Sequence, residues 1–469
     1  MRTRPDWRNA QSPSHAPGRG RPKSSGPMLD KYALVPIAAC FFALVVSPIL
    51  SHFYPPSSET DYGTDYAARI FWPAMAAISI ILFTTRNRSR RLIWPPHIVC
   101  LFACLAFAGA SVLWAFNPGS SFVRFVQQAM IMTAVVVPAL LAHPRTDVLR
   151  VLFLCFAFAS IVNVFFVLTQ EPEIAKYWSE NVQIGYTGYF LGKNYLGECA
   201  ALAFLLAVHE MLYPGHRRAM GVIVMIVAIF LIFKSESKTA LGLAILLPLL
   251  AALTLLGAKK TRLSPAIILL SIPFCYFLLG TVSNSPVRDR LSYMIFGDPT
   301  LTGRTIIWDF ATNEIALRPL LGWGYQSFWL VGPDAPSIVD APLWVKGMPD
   351  AHSGYYDATL EMGHIGYYLL LICVIATLHA IGRVAQRDGA RAWLMLSVAL
   401  YFLSFNYLES LWMRGFEFLW VVFLIIAAEI GRYWQPSLAR RRVQVEYRRP
   451  SQGARPLQGA RRHARKLSA

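Results

Sequence analysis

The sequence predicts an all-α, polytopic integral membrane protein of about 12 transmembrane helices with one large external loop, and three observations predict it. Of its 469 residues 55% are hydrophobic and only 15% are charged, where a soluble domain carries about 25% charged residues. The apolar residues arrive in blocks of about 20, the length that crosses a bilayer as a helix, and such blocks recur from end to end. Lys and Arg fall in alternate loops, as the positive-inside rule requires.

The elements follow in order. Residues 1–30 are rich in Arg, Lys, Pro, Ser and Gly without apolar periodicity, and read as a disordered basic tail on the cytoplasmic side. The first apolar block is too long and poorly placed for a cleaved signal peptide and reads as the first span. The predicted spans cover 31–50, 67–84, 93–115, 122–142, 149–169, 189–212, 219–233, 237–257, 264–283, 354–382, 391–408 and 415–431. Residues 432–469 read as a second disordered cytoplasmic tail, basic through Arg440, Arg441, Arg442, Arg461 and Arg462. Much of the formal net charge of +18 sits in these tails. That placement suits orientation and contact with anionic headgroups rather than nucleic-acid binding.

Charge tests the span count independently. The short loops that should be cytoplasmic hold Arg86, Arg88, Arg90, Arg91, Arg145, Arg150, Arg217, Arg218, Lys259, Lys260, Arg262, Arg383, Arg387 and Arg391. External loop 51–66 has no Lys or Arg, and 170–188 has only Lys176. A missed span would invert this alternation from that point on. The seven cysteines lie in or beside apolar blocks with no CxxC pair, so they read as small buried hydrophobes and not as a disulfide framework.

The exception to the alternation is segment 284–353, which faces outward yet carries Arg288, Arg290, Arg304, Arg318 and Lys346. Loops of this length are uncommon and often functional. Within it Gly303 to Arg318 reads as a helix, with Thr302 as N-cap and Pro319 as its stop. Ile307, Phe310, Ala311 and Ile315 fall on one face, so the helix is expected to lie at the membrane surface over the spans.

Four polar clusters gather at the predicted outer edge: Gly192-Lys193-Asn194; Ser235 to Ala240, with Lys238; Arg304 with Trp308 and the run from Arg318 to Gly324; and Asp350-Ala351-His352-Ser353-Gly354-Tyr355, followed by Glu361 and Gly363-His364-Ile365-Gly366. Ionisable residues at the edge of spans are costly and mark function. Converging cations repel unless an anion lies between them. A lipid-linked diphosphate meets that need, taking charge-assisted hydrogen bonds at its phosphates while its tail enters between helices. No cluster with metal-ligand spacing stands on the outer face, so a metal-independent site without a cofactor is expected. Plainer readings stand beside these. Lys193 can snorkel to the interface, Arg304 can anchor a surface helix, His352 can be a loop histidine, and Glu361, His364 and His379 can serve helix packing.

The stretch TGRTIIWDFATNEIALRPLLGWGYQSF from Thr302 to Phe328 resembles the loop signature of the bacterial O-antigen ligase and O-antigen polymerase superfamily. So do Asp350 to Tyr355, Leu360 to Gly366, Gly192-Lys193-Asn194 and Ser237-Lys238. Within the superfamily the chain is most similar to exopolysaccharide-production polymerases, which carry a similar Phe-Trp after the Gly-x-Gly turn, here Phe328-Trp329. The resemblance implies inverting, metal-independent glycosyl transfer on the periplasmic face of the bacterial inner membrane. The donor would be a glycan on undecaprenyl diphosphate. The acceptor would be a sugar hydroxyl, on another repeat unit for a polymerase or on lipid A core for a ligase. Family ligases use two arginines for the diphosphate and a histidine near the acceptor. Arg304 matches one arginine and His352 the histidine, while Lys238 aligns with the second arginine. That is a departure, because Lys lacks the guanidinium fork.

The roles implied are that Arg304 and Lys238, with Lys193, neutralise the leaving diphosphate. His352 accepts the proton of the attacking hydroxyl, and Asp350 orients its imidazole. Asn194, Tyr355 and Glu361 complete the substrate-binding set, and Trp308, Trp323, Tyr325, Trp329 and Tyr355 are candidates to stack on sugars. A secondary transporter or lipid-linked oligosaccharide flippase would instead place its polar residues near the bilayer midplane. A membrane scaffold would not need His352.

Overall fold

The computed structural model describes residues 30–54, 66–86, 92–143, 146–177, 180–282, 304–342, 345–415 and 417–435. Most of both tails lies outside the described residues, as do Arg88, Arg90, Arg91, Arg145, Arg288, Arg290 and Thr302. The chain is a polytopic, all-helical membrane protein whose first part runs through α1 (Lys31–Phe53), α2 (Tyr66–Thr84), α3 (Pro96–Trp114, closing in a 3-10 turn), α4 (Pro118–Leu141) and α5 (Val148–Thr169). After a hairpin, β1 (Glu173–Tyr177) with β2 (Glu180–Gly185), come α6 (Lys193–Met211), α7 (His216–Ser235), α8 (Lys238–Thr261) and α9 (Pro265–Val282). The outer segment holds α10 (Arg304–Leu317) and the single turn α11 (Pro336–Val339), and the chain ends in α12 (Gly354–Ala385), α13 (Gly389–Phe405) and α14 (Phe418–Arg432). Among the described residues 8 of these helices are long and apolar enough to cross a membrane: α1 to α5, α7, α8 and α12.

Local chemistry sets the boundaries. Asn117, Asp147, Ser237 and Asp388 cap α4, α5, α8 and α13, each accepting a hydrogen bond from a backbone N–H three residues on, which satisfies a donor the helix leaves open. Pro96, Pro118 and Pro336 occupy first turns, where the missing N–H costs nothing. The antiparallel hairpin was not expected from the sequence. It seats on the end of α7, where Tyr186 N–H donates to the Lys234 carbonyl at 3.0 Å.

Burial sorts the helices into two kinds. The apolar residues of α13 and α14 are nearly all buried, and so is α6 from Leu196 to Ala207, as befits helices enclosed by others. By contrast Ile223, Ile226 and Phe233 of α7, and Ile245, Leu249 and Leu256 of α8, are exposed. Such surface is tolerable where the solvent is lipid. The helices α13 and α14 are short, roughly 26 and 22 Å at 1.5 Å per residue, against a hydrocarbon core of about 30 Å. The connection that leaves α13, described over 406–415, is irregular and lies among the helices. Irregular backbone is permitted at such depth only when protein surrounds it, and Asn406, Ser410, Leu411, Trp412 and Met413 are all buried.

The outer segment has a core of its own. Ile307, Trp308 and Phe310 pack with Trp323, Phe328, Trp329, Val345 and Leu360. Ile307, Phe310 and Ala311 are the face predicted for this helix, and they are buried. The segment's run Arg318 to Gly324 docks on α12 through main chain. His364 N–H donates to the Pro319 carbonyl at 2.8 Å, Trp323 N–H to Leu360 at 2.9 Å and Gly324 N–H to Glu361 at 2.8 Å. At this point α12 is broken, with Gly363 at φ +64°. A Cβ on Gly322, itself at φ +68°, would lie 2.6 Å from the Leu360 carbonyl oxygen.

Opposite this end, the basic loops close into an ion network. Glu210 receives Arg150 and Arg217, and Asp147 receives Arg217 and Arg391. Glu429 receives Arg391 and Arg432. Arg432 is buried and also donates to the carbonyls of His143 and Thr146. These contacts tie together α5, α6, α7, α13 and α14.

Candidate active site

The site grows from the start of α12. Gly354 N–H donates to the carbonyls of Asn406 and Glu409 at 2.9 and 3.0 Å, and a Cβ there would overlap the Asn406 side chain. Glycine thus lets α12 begin against the turn that follows α13. The adjoining His352 is held at φ +47°, a left-handed conformation that a residue with a Cβ adopts at a cost and that clusters at functional sites. Its N–H is anchored by Asp350 Oδ1 at 2.8 Å.

This geometry brings His352 to Glu409. Nδ1 stands 3.3 Å from Glu409 Oε2 and 3.6 Å from Asp350 Oδ1. An ionised carboxylate only accepts, so Nδ1 carries the proton and Nε2 is left as acceptor. The hydrogen bond to Glu409 holds the imidazole above its ordinary value; burial opposes this, Asp350 adds to it and Arg304 works against it. The other Glu409 oxygen, Oε1, receives Arg304 Nη2 at 3.1 Å and Asn194 Nδ2 at 3.1 Å. Arg304 Nε also donates to the Leu408 carbonyl at 3.1 Å. One carboxylate thus gathers a guanidinium, an imidazole and an amide from three separate stretches of chain.

Of the residues singled out in the sequence, Asn194, Arg304, Asp350 and His352 meet here. Lys238, exposed, opens α8 next to Ser237, whose hydroxyl donates to Asn194 Oδ1 at 3.4 Å. Lys193 opens α6 beside Asn194, but its ammonium donates to the Ile184 carbonyl of the hairpin at 2.8 Å. The Tyr355 hydroxyl donates to the Leu403 carbonyl at 2.9 Å. Glu361 is buried and lies 3.0 Å from Arg414, which also pairs with Asp357 at 3.0 Å. The Arg414 contacts brace the connection after α13 against α12.

Asp350 lies 3.6 Å from the His352 imidazole, and a nearer carboxylate, Glu409, joins it at 3.3 Å. One expectation is corrected. The indoles of Trp308, Trp323 and Trp329 are not open platforms. They are buried, with Nε1 donated to Ala351, Glu314 and Asp357, and Tyr325 is buried too, its hydroxyl donated to Met413. Glu409 and Arg414 were missed because both sit in what reads as a short turn between spans, where charged residues look merely solvated. Their available signal was a pair of charges in an otherwise apolar stretch at the membrane edge.

Comparison with known proteins bears on the same region. Residues 201–371 match the family model described as O-antigen ligase. The matched stretch contains Lys238, Arg304, Asp350, His352, Tyr355 and Glu361, while Lys193, Asn194 and Glu409 fall outside it. The chain is 25% identical over 299 residues to the exopolysaccharide production protein ExoQ of Rhizobium meliloti (strain 1021), across 61% of this chain and 66% of that protein. It is 25% identical over 143 residues to a protein of Rickettsia felis carrying the provisional name polysaccharide ligase, across 29% of this chain and 35% of that protein. A similarly named protein of Rickettsia prowazekii (strain Madrid E) is 25% identical over 142 residues, 28% of this chain and 34% of that protein. The chain thus spans just under two thirds of the first relative and about a third of the other two. Residues 201–371, which include the point where the outer segment docks on α12, are thus similar to the O-antigen ligase family.

Proposed function

We propose that the protein is a glycosyltransferase of the inner membrane, with both termini cytoplasmic. It moves a glycan from undecaprenyl diphosphate to a sugar hydroxyl at the periplasmic face, and so polymerises repeat units of an exopolysaccharide or O-antigen. The single observation that carries the reading is the shared carboxylate: Glu409 holds Arg304 at 3.1 Å on one oxygen and His352 at 3.3 Å on the other. A cation suited to a diphosphate and a base suited to a hydroxyl are thereby kept side by side.

In the proposed step the acceptor oxygen attacks the anomeric carbon from the face opposite the diphosphate. The glycosidic C–O bond breaks, its electron pair stays on the phosphate oxygen, and the hydroxyl proton passes to Nε2 of His352. Arg304 and Lys238 offset the charge that develops on the leaving group, the kind of preorganised stabilisation that dominates many catalysed reactions. With cationic side chains in that role the reaction needs no divalent ion, so membranes treated with EDTA should retain full transfer. A requirement for added Mg²⁺ or Mn²⁺ would count against it.

Similarity to an exopolysaccharide production protein over 61% of the chain favours polymerisation. The family description and the two Rickettsia names favour a second reading, ligation of the glycan to lipid A core. The test is the pool of lipid-linked glycan in cells that make the cognate polymer, comparing wild type, Arg304→Ala and His352→Ala at equal membrane levels. A polymerase variant loses long polymer and accumulates single repeats. A ligase variant keeps long lipid-linked chains with none on lipid A. Wild-type glycan from both variants would refute the chemistry assigned to these residues.

A further inference from the structure

At the opposite, basic end of the bundle lies a groove of about 330 Å³ between the starts of α3 and α9, the last turns of α12, and Trp434. From the break at Gly363 to His379 on its wall, α12 runs roughly 24 Å at 1.5 Å per residue, so this groove is remote from Glu409. Its walls are almost wholly hydrocarbon. Ile267, Leu270 and Ile372 line it and are themselves exposed, so it opens sideways onto lipid. The polar groups on its wall include Ser264 Oγ and His379 Nδ1, 2.9 Å apart, and the buried His97, whose Nε2 lies 3.0 Å from the Ala427 carbonyl.

Its rim is cationic. Arg383, one turn beyond His379, is exposed and stacks its guanidinium 4.6 Å from the ring centre of Trp434. Arg262, at the C-terminus of α8 and close in sequence to Ser264, is exposed, as are Lys259 and Lys260 before it. The carboxylates described at this end are committed elsewhere. Asp147, Glu210 and Glu429 pair with arginines of the ion network, Asp388 caps α13, and Asp30 accepts the His143 N–H. Among the described residues no carboxylate forms an ion pair with Arg262 or Arg383.

We propose that this groove holds one acyl chain of an anionic phospholipid whose phosphate sits at Arg383 and Arg262. A chain leaving the bilayer for Ile and Leu walls gains little, since lipid tails are as apolar as those side chains. Discrimination therefore resides in the headgroup, and basic pockets between helices at the cytoplasmic side are suited to it. Losing one such cation should weaken binding about five-fold.

The test uses full-length protein in dodecyl maltoside, titrated with dioleoylphosphatidylglycerol or dioleoylphosphatidylcholine and read by native mass spectrometry. Wild type should retain phosphatidylglycerol over phosphatidylcholine by at least about five-fold. Arg383→Gln should bring the two lipids close to parity, and Ala376→Trp, which fills the groove, should remove both adducts. Both positions reach solvent or lipid, and an unchanged melting temperature checks that the fold is kept. Equal retention of the two lipids by wild type would overturn the proposal, as would wild-type phosphatidylglycerol adducts on both variants.

Discussion

Glu409 divides its carboxylate between Arg304 with Asn194 on one oxygen and His352 on the other, and the consequence can be measured through pH. Because Glu409 raises the His352 pKa, the imidazole holds its proton to a higher pH than an ordinary histidine. A base must be neutral to act, so transfer should fall as pH drops through that raised value. Glu409→Gln removes the acceptor charge, lowers the His352 pKa and should move the acidic limb of the pH–rate profile downward, together with a lower maximal rate. A profile that kept its acidic limb would show that Glu409 does not set the basicity of His352. Arg304→Lys keeps the charge but loses the planar fork, and should fall between wild type and Arg304→Ala in polymer formed. At this scale His352 and Arg304 were legible because their motifs surround them. Glu409 was not, because a lone acid in a short turn carries no spacing that ties it to a histidine 57 residues away.

Element boundaries were legible to within a few residues where hydropathy and capping agree, as for α2, α5 and α8. They failed in instructive places. Hydropathy carried the last two spans to 408 and from 415, whereas α13 stops at Phe405 and α14 starts at Phe418. Apolar composition cannot separate a helix from a buried irregular connection. The hairpin escaped notice because strands this short show little alternation, and what orders it is the end of α7. The break in α12 at Gly363 was also hidden inside what reads as one continuous span, 354–382. It supports a prediction at this scale. Gly363→Ala would force a Cβ onto φ +64° and against the Leu320 carbonyl. It should destabilise the fold by at least about 1 kcal/mol, seen as a lower melting temperature in detergent. Unchanged melting would mean that the outer segment does not depend on this contact.

For the whole molecule, loop charge foretold which helix ends lie together, and the structure adds that these arginines are structural as well. Arg150, Arg217 and Arg391 were read as orientation signals; each is also paired to a carboxylate that ties separate helices. Polarity in a loop predicts a side of the membrane but says nothing of partners, which depend on how helices pack. Glu210→Gln should therefore cost about 2 kcal/mol of stability, the scale of hydrogen bonds made to charged groups. The ratio of lipid-linked single repeats to polymer in the surviving protein should stay unchanged. Thermal unfolding in detergent, with glycan analysis at matched protein levels, separates those effects. A shifted product ratio would mean that the basic end communicates with the Glu409 group.

The docking of Pro319 to Gly324 on α12 has a consequence for how such a protein tolerates change over time. Its contacts run from amide to carbonyl, and every residue but proline offers the same amide. Side chains at Leu320 and Leu321, both exposed, are free to drift with the local lipid or sugar environment while the joint persists. The glycines at 322 and 363 are not, because there the absent side chain is the fitting part. A saturation library across 318–366, selected for polymer formation, should recover many residues at the former positions and almost only glycine at the latter.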